Sequence, residues 1–188
     1  MEHVMIDLET FGTQEDSVIF QISAVAFDPL QVGGLGAEFN AFVDIASQPE
    51  RVIHADTLKW WLGQDRALLN NLVFADQRHT LKQALVELRL FLKDHKLRHA
   101  WANSPSFDLI LLRHAARPYG KDAELPIQFW KERDVRTMKS LVEITDDDID
   151  KEISFLGRES GMKHDAREDV IRQAIQVQLV YKHLGIKE

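Results

Sequence analysis

Residues 4–12 have the sequence VMIDLETFG, in which an apolar run meets two carboxylates and then a turn. The apolar part predicts a buried β-strand. Residues two apart in a strand project from the same face, so Asp7 and Glu9 point the same way from the end of this strand. Two like charges so placed repel each other and resist burial, which costs stability unless a cation lies between them. A hard divalent ion, Mg²⁺ or Mn²⁺, suits such oxygen ligands.

An alternative interpretation is that Asp7 and Glu9 form the solvated face of an edge strand. A D-x-E pair occurs by chance in most proteins, so the pair alone favours this simpler interpretation. A metal site becomes the better hypothesis only if the rest of the chain supplies further ligands.

The composition is that of an ordinary globular protein. The 188 residues are 45% hydrophobic and 28% charged, without a shift in composition along the chain, which predicts a single domain over 1–188. Cysteine is absent, which excludes disulfides and thiolate metal sites. The net charge of −7 argues against a protein that coats nucleic acid non-specifically. The first residues do not resemble a signal peptide, and no apolar run is long enough to cross a bilayer, so we expect a cytoplasmic protein without a membrane partner.

The first half of the chain predicts a strand-rich beginning followed by helices. Residues 18–27 and 37–45 predict two more strands, so that short loops join three antiparallel strands. Helices are predicted over 56–62, 65–73 and 80–95.

Adjacent tryptophans lie in the first predicted helix, for which Asp56 is a plausible cap. Trp60 and Trp61 point about 100° apart on a helix, so they cannot both face the core. We expect one to pack and the other to be available to a ligand or partner, although two half-buried rings in a small domain are an equal alternative.

The second half of the chain contains further acids. A predicted strand over 100–102 leads into NSPSFD, residues 103–108, and then into a helix that ends near Gly120. Asp108 lies near the first turn of that helix, where a carboxylate benefits from the helix dipole. Such acids are common at this position, so Asp108 alone indicates little. A strand over 129–135 and a helix over 136–144 follow.

The acidic run Asp146–Asp148 with Asp150 is interpreted as a solvated helix cap or loop. It lacks the glycine and the distal glutamate of a calcium-binding loop.

The last predicted helix begins at Ala166, with Asp165 and Glu168 as a capping box. His164 lies just outside the helix and Asp169 within its first turns. A surface histidine and a dipole-stabilised carboxylate are the simpler interpretations of each residue. Since little apolar sequence surrounds His164, we expect its side chain to be mobile without substrate.

Together, these residues resemble the histidine-bearing branch of the DEDD superfamily of 3′→5′ exonucleases. The motifs D-x-E, a mid-chain aspartate in a helix, and H-x-x-x-x-D opening a late helix occur here in that order. The WW pair at 60–61 and RDVRT at 133–137 resemble a small RNase T-like group of bacterial exoribonucleases and phage exonucleases that act on DNA. The resemblance implies an α/β fold of ribonuclease H-like type, a mixed sheet of three antiparallel strands and then parallel strands, flanked by helices.

The resemblance also implies a mechanism. Phosphodiester hydrolysis needs charge neutralisation on the phosphate, a hydroxide near pH 7 and a stabilised leaving oxygen, and two metal ions about 4 Å apart supply all three. By resemblance, Asp7 bridges two Mg²⁺ or Mn²⁺ ions, Glu9 and Asp169 complete the site on the nucleophile side, and Asp108 holds the second ion, through water. His164 would take the proton from the attacking water.

The implied substrate is the 3′ end of single-stranded DNA or RNA, with release of nucleoside 5′-monophosphates. Backbone groups of the turn at 10–12 lie where they would bond the 3′-hydroxyl, and aromatic rings would stack on bases without reading sequence. The expected substrate-binding residues are Thr10, Phe11, Gly12, Trp60, Trp61, Asn103 and Phe107.

Two other functions remain as alternatives. A ribonuclease H-like endonuclease would share the fold and the acids, and a silent nucleic-acid-binding module would share the fold. The sequence does not distinguish DNA from RNA, or a bacterial from a phage-infected cell. A homodimer is compatible with the resemblance, but no sequence feature demonstrates it.

Overall fold

The computed structural model describes residues 1–187, which form one six-stranded mixed sheet with helices on both faces. The strands are β1 (His3–Thr10), β2 (Ile19–Phe27), β3 (Leu35–Val43), β4 (Arg78–His79), β5 (His99–Ala102) and β6 (Glu132–Asp134). The α-helices are α1 (Ala55–Leu62), α2 (Arg66–Val73), α3 (Leu81–Asp94), α4 (Asp108–Ala116), α5 (Val135–Lys139), α6 (Asp146–Phe155) and α7 (Ala166–His183). Short 3₁₀ helices cover Ile45–Ser47, Arg117–Asp122 and Phe129–Lys131.

The strand order is β4-β3-β2-β1-β5-β6. β1, β2 and β3 pair antiparallel, whereas β5 and β6 run parallel to β1. This arrangement confirms the predicted sheet of three antiparallel strands followed by parallel ones. The two-residue strand β4, which pairs parallel to β3, was not predicted.

The alternation of side chains along β1 separates the two faces of the sheet. Val4, Ile6 and Leu8 pack into the core under α3 and α4. Met5 packs on the other face, in a cluster with residues of α6 and α7. Asp7 and Glu9 share the parity of Met5, so β1 directs both carboxylates toward the face that α7 covers.

Several predicted helix boundaries are wrong. Helix α1 begins at Ala55, and Asp56 lies in its first turn instead of capping it. The helix predicted over 136–144 ends at Lys139. Asp165 caps α7 by accepting from the backbone N–H of Arg167, so the predicted capping box with Glu168 does not form.

The acidic run is part of helix α6. Thr145 caps this helix in a capping box with Asp148, and the preceding acids occupy the first turn, where the helix dipole favours negative charge. The prediction of a cap or loop therefore missed a ten-residue helix. Within residues 1–187, no helix is long and apolar enough to span a membrane.

A pair of half-buried histidines at the start of β1 and β5 predicts that the folding stability of the protein falls at acid pH. The rings of His3 and His99 stack with centroids 4.7 Å apart, and Trp101 Nε1 donates to His3 Nδ1 at 2.8 Å. Burial and then His99 lower the pKa of His3 to about 4. An unfolded histidine titrates near 6.5. The stability that neutral His3 contributes is therefore present above pH ~6.5 and is lost as the pH falls toward 4.

We expect His3→Asn, which keeps an acceptor near Trp101, to lose less stability than the wild type on acidification. Thermal melts of both proteins at pH 7, 6 and 5 in EDTA measure the difference. Carboxylate titrations are common to both proteins and cancel in the comparison. Equal pH dependence in the two proteins would show that His3 does not contribute.

Candidate active site

Three acids from opposite ends of the chain meet beside the end of β1. Asp7, Glu9 and Asp169 each offer a carboxylate oxygen, and these oxygens lie within 4.8 Å of one another. Asp7 and Glu9 come from β1, and Asp169 comes from the first turn of α7. The backbone N–H of His164 donates to Asp169 Oδ2 at 3.1 Å, which orients that carboxylate. Hard oxygen donors at this spacing suit Mg²⁺ or Mn²⁺.

Burial and crowding oppose ionisation of these acids. Burial, followed by the charge of Asp169, raises the pKa of Asp7 to about 7. Burial and then Asp7 raise the pKa of Glu9 well above its ordinary value. The pKa of Asp169 is also raised, chiefly by burial. A bound cation would offset the unfavourable free energy of ionising these buried acids, because it neutralises their negative charge.

Asp108 lies next to this group but outside it. It is the first residue of α4 and is only 2% exposed. Burial and then the charge of Asp7 raise its pKa well above the ordinary value. Its Oδ2 atom is buried and has no hydrogen-bond partner in the described part of the chain. An unpartnered buried carboxylate oxygen beside Asp7 fits the expected role of Asp108, which is to reach an ion through water.

His164 lies at the rim of the same cleft, which has a volume of about 350 Å³. It is exposed and has a left-handed backbone with φ of 67°. Its ring contacts Trp60 edge to face, with centroids 4.9 Å apart, and lies 6.3 Å from Trp61. The sequence did not predict this aromatic contact, since nothing apolar adjoins His164 along the chain.

Trp61 lies in the core and Trp60 at the surface, which confirms the prediction that one tryptophan packs and the other is accessible. Trp61 is buried and its Nε1 donates to the carbonyl oxygen of Thr10 at 2.9 Å, so it supports the turn after β1 from behind. Trp60 is 43% exposed. Of the two, Trp60 is therefore the side chain that a nucleotide can reach.

The turn at residues 10–12 corrects one expectation. Phe11 is 5% exposed, and its ring packs 4.5 Å from that of Phe20, so it is a core residue and presents no face to a base. Thr10 Oγ1 donates to the carbonyl oxygen of Gly12 at 2.7 Å, which closes the turn. A side chain at Gly12 would meet His54 at 2.2 Å, so only glycine fits there.

The other two expected substrate residues lie between β5 and α4. Asn103 lines the cleft, and its Oδ1 atom is buried without a partner in residues 1–187. Phe107 precedes α4 and is half-buried against the main core. Asn103 is therefore placed to accept a hydrogen bond from a ligand, whereas Phe107 offers less surface.

Several residues that line the cleft were missed by the sequence analysis. Gln173 contacts Asp7 directly, and its spacing of four residues from Asp169 on one helix is a signal that would have found it. Lys139, Lys163 and Arg172 add positive charge around the acids. No local pattern marks Lys139, which reaches the cleft from the end of α5.

Known structures have the same fold. The chain aligns with the zinc-bound complex of E. coli exonuclease I with single-stranded DNA at a TM-score of 0.64, with 14% identity over 97% of this chain and 41% of that one. It aligns with the nuclease domain of 3′hExo, a DEDDh family member bound to rAMP, at a TM-score of 0.59, with 14% identity over 98% and 94% of the two chains. This chain spans about 40% of the length of the exonuclease I chains that it matches.

Sequence comparison also finds exonucleases. The chain is 26% identical to an exodeoxyribonuclease of Enterobacteria phage T4 over 159 residues, which is 71% of this chain and 68% of the phage protein. Residues 2–181 match the model of the 3′-5′ exoribonuclease Rv2179c-like domain. These matches confirm the resemblance to the histidine-bearing DEDD exonucleases, and the chain belongs to the Rv2179c-like 3′-5′ exoribonuclease domain family.

Proposed function

We propose that this protein is a metal-dependent exonuclease that hydrolyses single-stranded nucleic acid from its 3′ end and releases nucleoside 5′-monophosphates. The observation that carries the proposal is the convergence of Asp7, Glu9 and Asp169 oxygens within 4.8 Å. In the reaction, a water oxygen bonds to phosphorus and the bond from phosphorus to the 3′-oxygen breaks. The proton lost by the water is taken up by a base, and the leaving 3′-oxygen gains a proton.

Two Mg²⁺ or Mn²⁺ ions would supply charge neutralisation and an activated water in this site. Asp7, Glu9 and Asp169 would hold one ion, and Asp7 with Asp108 would hold the other. Raised pKa values and the unpartnered Oδ2 atom of Asp108 support this assignment, because both indicate positive charge or donors that arrive with the ligand.

His164 is proposed as the general base. Its exposed ring adjoins the cleft, and its backbone is tied to Asp169, so a rotation of the side chain away from Trp60 would bring the imidazole over the acids. A terminal base that stacks on the exposed face of Trp60 would compete with the histidine for that contact. Substrate binding and histidine movement would then be coupled.

Substrate contacts are proposed for Trp60, for Asn103 and for the backbone of the turn at 10–12. Lys139 and Lys163 would bind phosphates at the rim of the cleft, where they offset the negative charge of the protein. The phage exodeoxyribonuclease and the exoribonuclease family model suggest opposite nucleic acids, so both DNA and RNA must be tested. A homodimer remains a proposal that sedimentation velocity would test.

Digestion of matched single-stranded DNA and RNA, each labelled at the 5′ end, tests the function. We expect a ladder that shortens from the 3′ end in Mg²⁺ or Mn²⁺ and no cleavage of closed circular single strands. Nicking of the circles would favour the ribonuclease H-like endonuclease instead. Binding without cleavage would favour a silent module.

Metal binding should be visible in the thermal stability. An ion that binds only the folded chain stabilises it by about 2.7 kcal/mol at a concentration 100 times its dissociation constant. For a chain of this size that corresponds to a rise of roughly 5–10 °C in Tm. We therefore expect Mn²⁺ to raise Tm in differential scanning calorimetry, with Ca²⁺ as a comparison ion. An unchanged Tm at millimolar Mn²⁺ with a mononucleotide present would contradict the metal site.

A further inference from the structure

We propose that Gln173 is a positioning residue of the metal centre, which fixes the Asp7 carboxylate with its amide nitrogen and receives, at its amide oxygen, a hydrogen bond from a water that accompanies the ion. The inference rests on the proposed function, because it assigns a role around the same acids. It adds a neutral residue to a metal centre for which the sequence analysis predicted only carboxylates.

The position of Gln173 follows from helix geometry. Residues four apart on a helix lie on the same face, so Asp169 and Gln173 both project from α7 toward β1. The Nε2 atom of Gln173 donates to Asp7 Oδ1 at 2.9 Å. Gln173 is only 8% exposed, so this bond is shielded from competing water. The contact ties the carboxylate of the first strand to the last helix.

The orientation of the amide follows from the chemistry of its partner. A carboxylate that binds a cation is ionised and only accepts hydrogen bonds, so the NH₂ group faces Asp7, as the bond from Nε2 has it, and the Oε1 atom faces away. That oxygen is buried and has no partner in residues 1–187. A buried acceptor that is left unpaired destabilises the fold, and an apolar side chain of the same length would avoid this loss. The unpartnered amide oxygen therefore indicates a donor that binds with the ligand.

The cationic side chains that line the cleft are largely engaged elsewhere. Arg172 is bonded to Asp146, Asp150 and Ser160, and Lys163 Nζ donates to Asp146 Oδ2 at 2.8 Å. Lys139 is the cleft cation that forms no ion pair within 4 Å in the described chain, so it is the competing donor.

A neutral amide also suits the task better than a cation. An arginine or lysine beside Asp7 would neutralise the carboxylate and compete with the ion for it. The amide instead restricts the rotation of the carboxylate and leaves its charge available. Outer-shell partners of this kind typically change metal affinity by about 10–100-fold when they are removed.

The test measures Mn²⁺ affinity by calorimetry, without substrate. Gln173→Met preserves the length of the side chain and removes both polar atoms, so we expect the dissociation constant to rise about 10–100-fold. Gln173→Glu keeps an acceptor but places another charge beside Asp7. We expect this variant to melt below the wild type in EDTA and to gain more in Tm from Mn²⁺ than the wild type does.

Gln176→Met is the matched control, because Gln176 is half-buried on the same helix and bonds none of the acids in the described chain. Its affinity for Mn²⁺ should equal that of the wild type. Lys139→Met should bind Mn²⁺ at least as tightly as the wild type, since a competing positive charge is removed.

Three results would overturn the inference: wild-type affinity in Gln173→Met, equal losses in Gln173→Met and Gln176→Met, or weaker binding in Lys139→Met, which would make Lys139 the donor. If Gln173→Met does not fold, the smaller Gln173→Ala is measured in the same way, and wild-type affinity for Mn²⁺ in that variant would overturn the inference. A wild-type protein that binds no Mn²⁺ would instead contradict the proposed function itself, so the two failures are distinguishable.

Discussion

Asp7→Asn should reduce hydrolysis by at least about 10³-fold, since a metal centre supplies several kcal/mol of transition-state stabilisation and each 1.36 kcal/mol is a factor of ten. The same variant should remain folded in EDTA and should be as stable as the wild type or slightly more stable. The reason is that burial and Asp169 raise the pKa of Asp7 to about 7, so its ionised form is strained without metal.

The sign of the pH dependence follows from that shift. An unfolded aspartate titrates near 3.9, so the protonated Asp7 contributes stability below that pH, and the contribution is lost as the pH rises toward 7. In EDTA, the stability of Asp7→Asn relative to that of the wild type should therefore increase as the pH rises over this interval, because only the wild type loses the Asp7 contribution. Asn also retains an acceptor for Gln173.

Asp147→Asn is the control for Asp7→Asn, because Asp147 is exposed in the first turn of α6. It should change neither turnover nor the Mn²⁺-dependent rise in Tm. A large loss of stability in Asp7→Asn in EDTA, measured by thermal melting at pH 8, would mean that Asp7 is a structural acid and would contradict the metal site.

His164→Ala should lower single-turnover hydrolysis by roughly 10²–10⁴-fold, the usual effect of removing a positioned acid–base group. Metal affinity should change little. The four carboxylates remain, and the bond to Asp169 comes from the backbone N–H at position 164, which alanine retains. Substitution of Asp169 should weaken metal binding as well, so the two phenotypes differ.

The left-handed backbone at His164 requires a second variant. Asparagine adopts this conformation more readily than alanine, so His164→Asn removes the base with less backbone strain. Both variants should lose activity and still bind single strands in Ca²⁺. His183→Ala, an exposed histidine near the end of α7, is the control. Near-wild-type turnover in both His164 variants would remove this residue from the mechanism.

The parts of the fold and site that the sequence predicted depend on local periodicity. Strand parity places Asp7 and Glu9 on one face, and the amphipathic stripe of α3 predicts a core helix almost to its boundaries. The three antiparallel strands were predicted from the strand pattern and the short loops between them, and the parallel strands that follow were implied by the family resemblance.

The remaining features depend on contacts between distant segments. Parity continued from Glu9 would place Phe11 beside the acids, but the pairing of β1 with β2 shifts register after Glu9, and Phe11 turns into the core against Phe20. The contact between Trp60 and His164, and the bond from Gln173 to Asp7, join residues more than a hundred positions apart. No local pattern encodes the contact of Trp60 with His164, and the helical spacing from Asp169 indicates Gln173 only once Asp169 is assigned to the site.

The measurement that tests the central claim most directly is the identity of the first product from a single strand labelled at its 3′-terminal nucleotide. With Mg²⁺ or Mn²⁺, the wild type should release the label as a nucleoside 5′-monophosphate before any longer fragment appears. EDTA or Asp7→Asn should abolish this release. Longer labelled fragments as first products, a 3′-phosphorylated product, or undiminished release in EDTA would contradict a metal-dependent exonuclease centred on Asp7, Glu9 and Asp169.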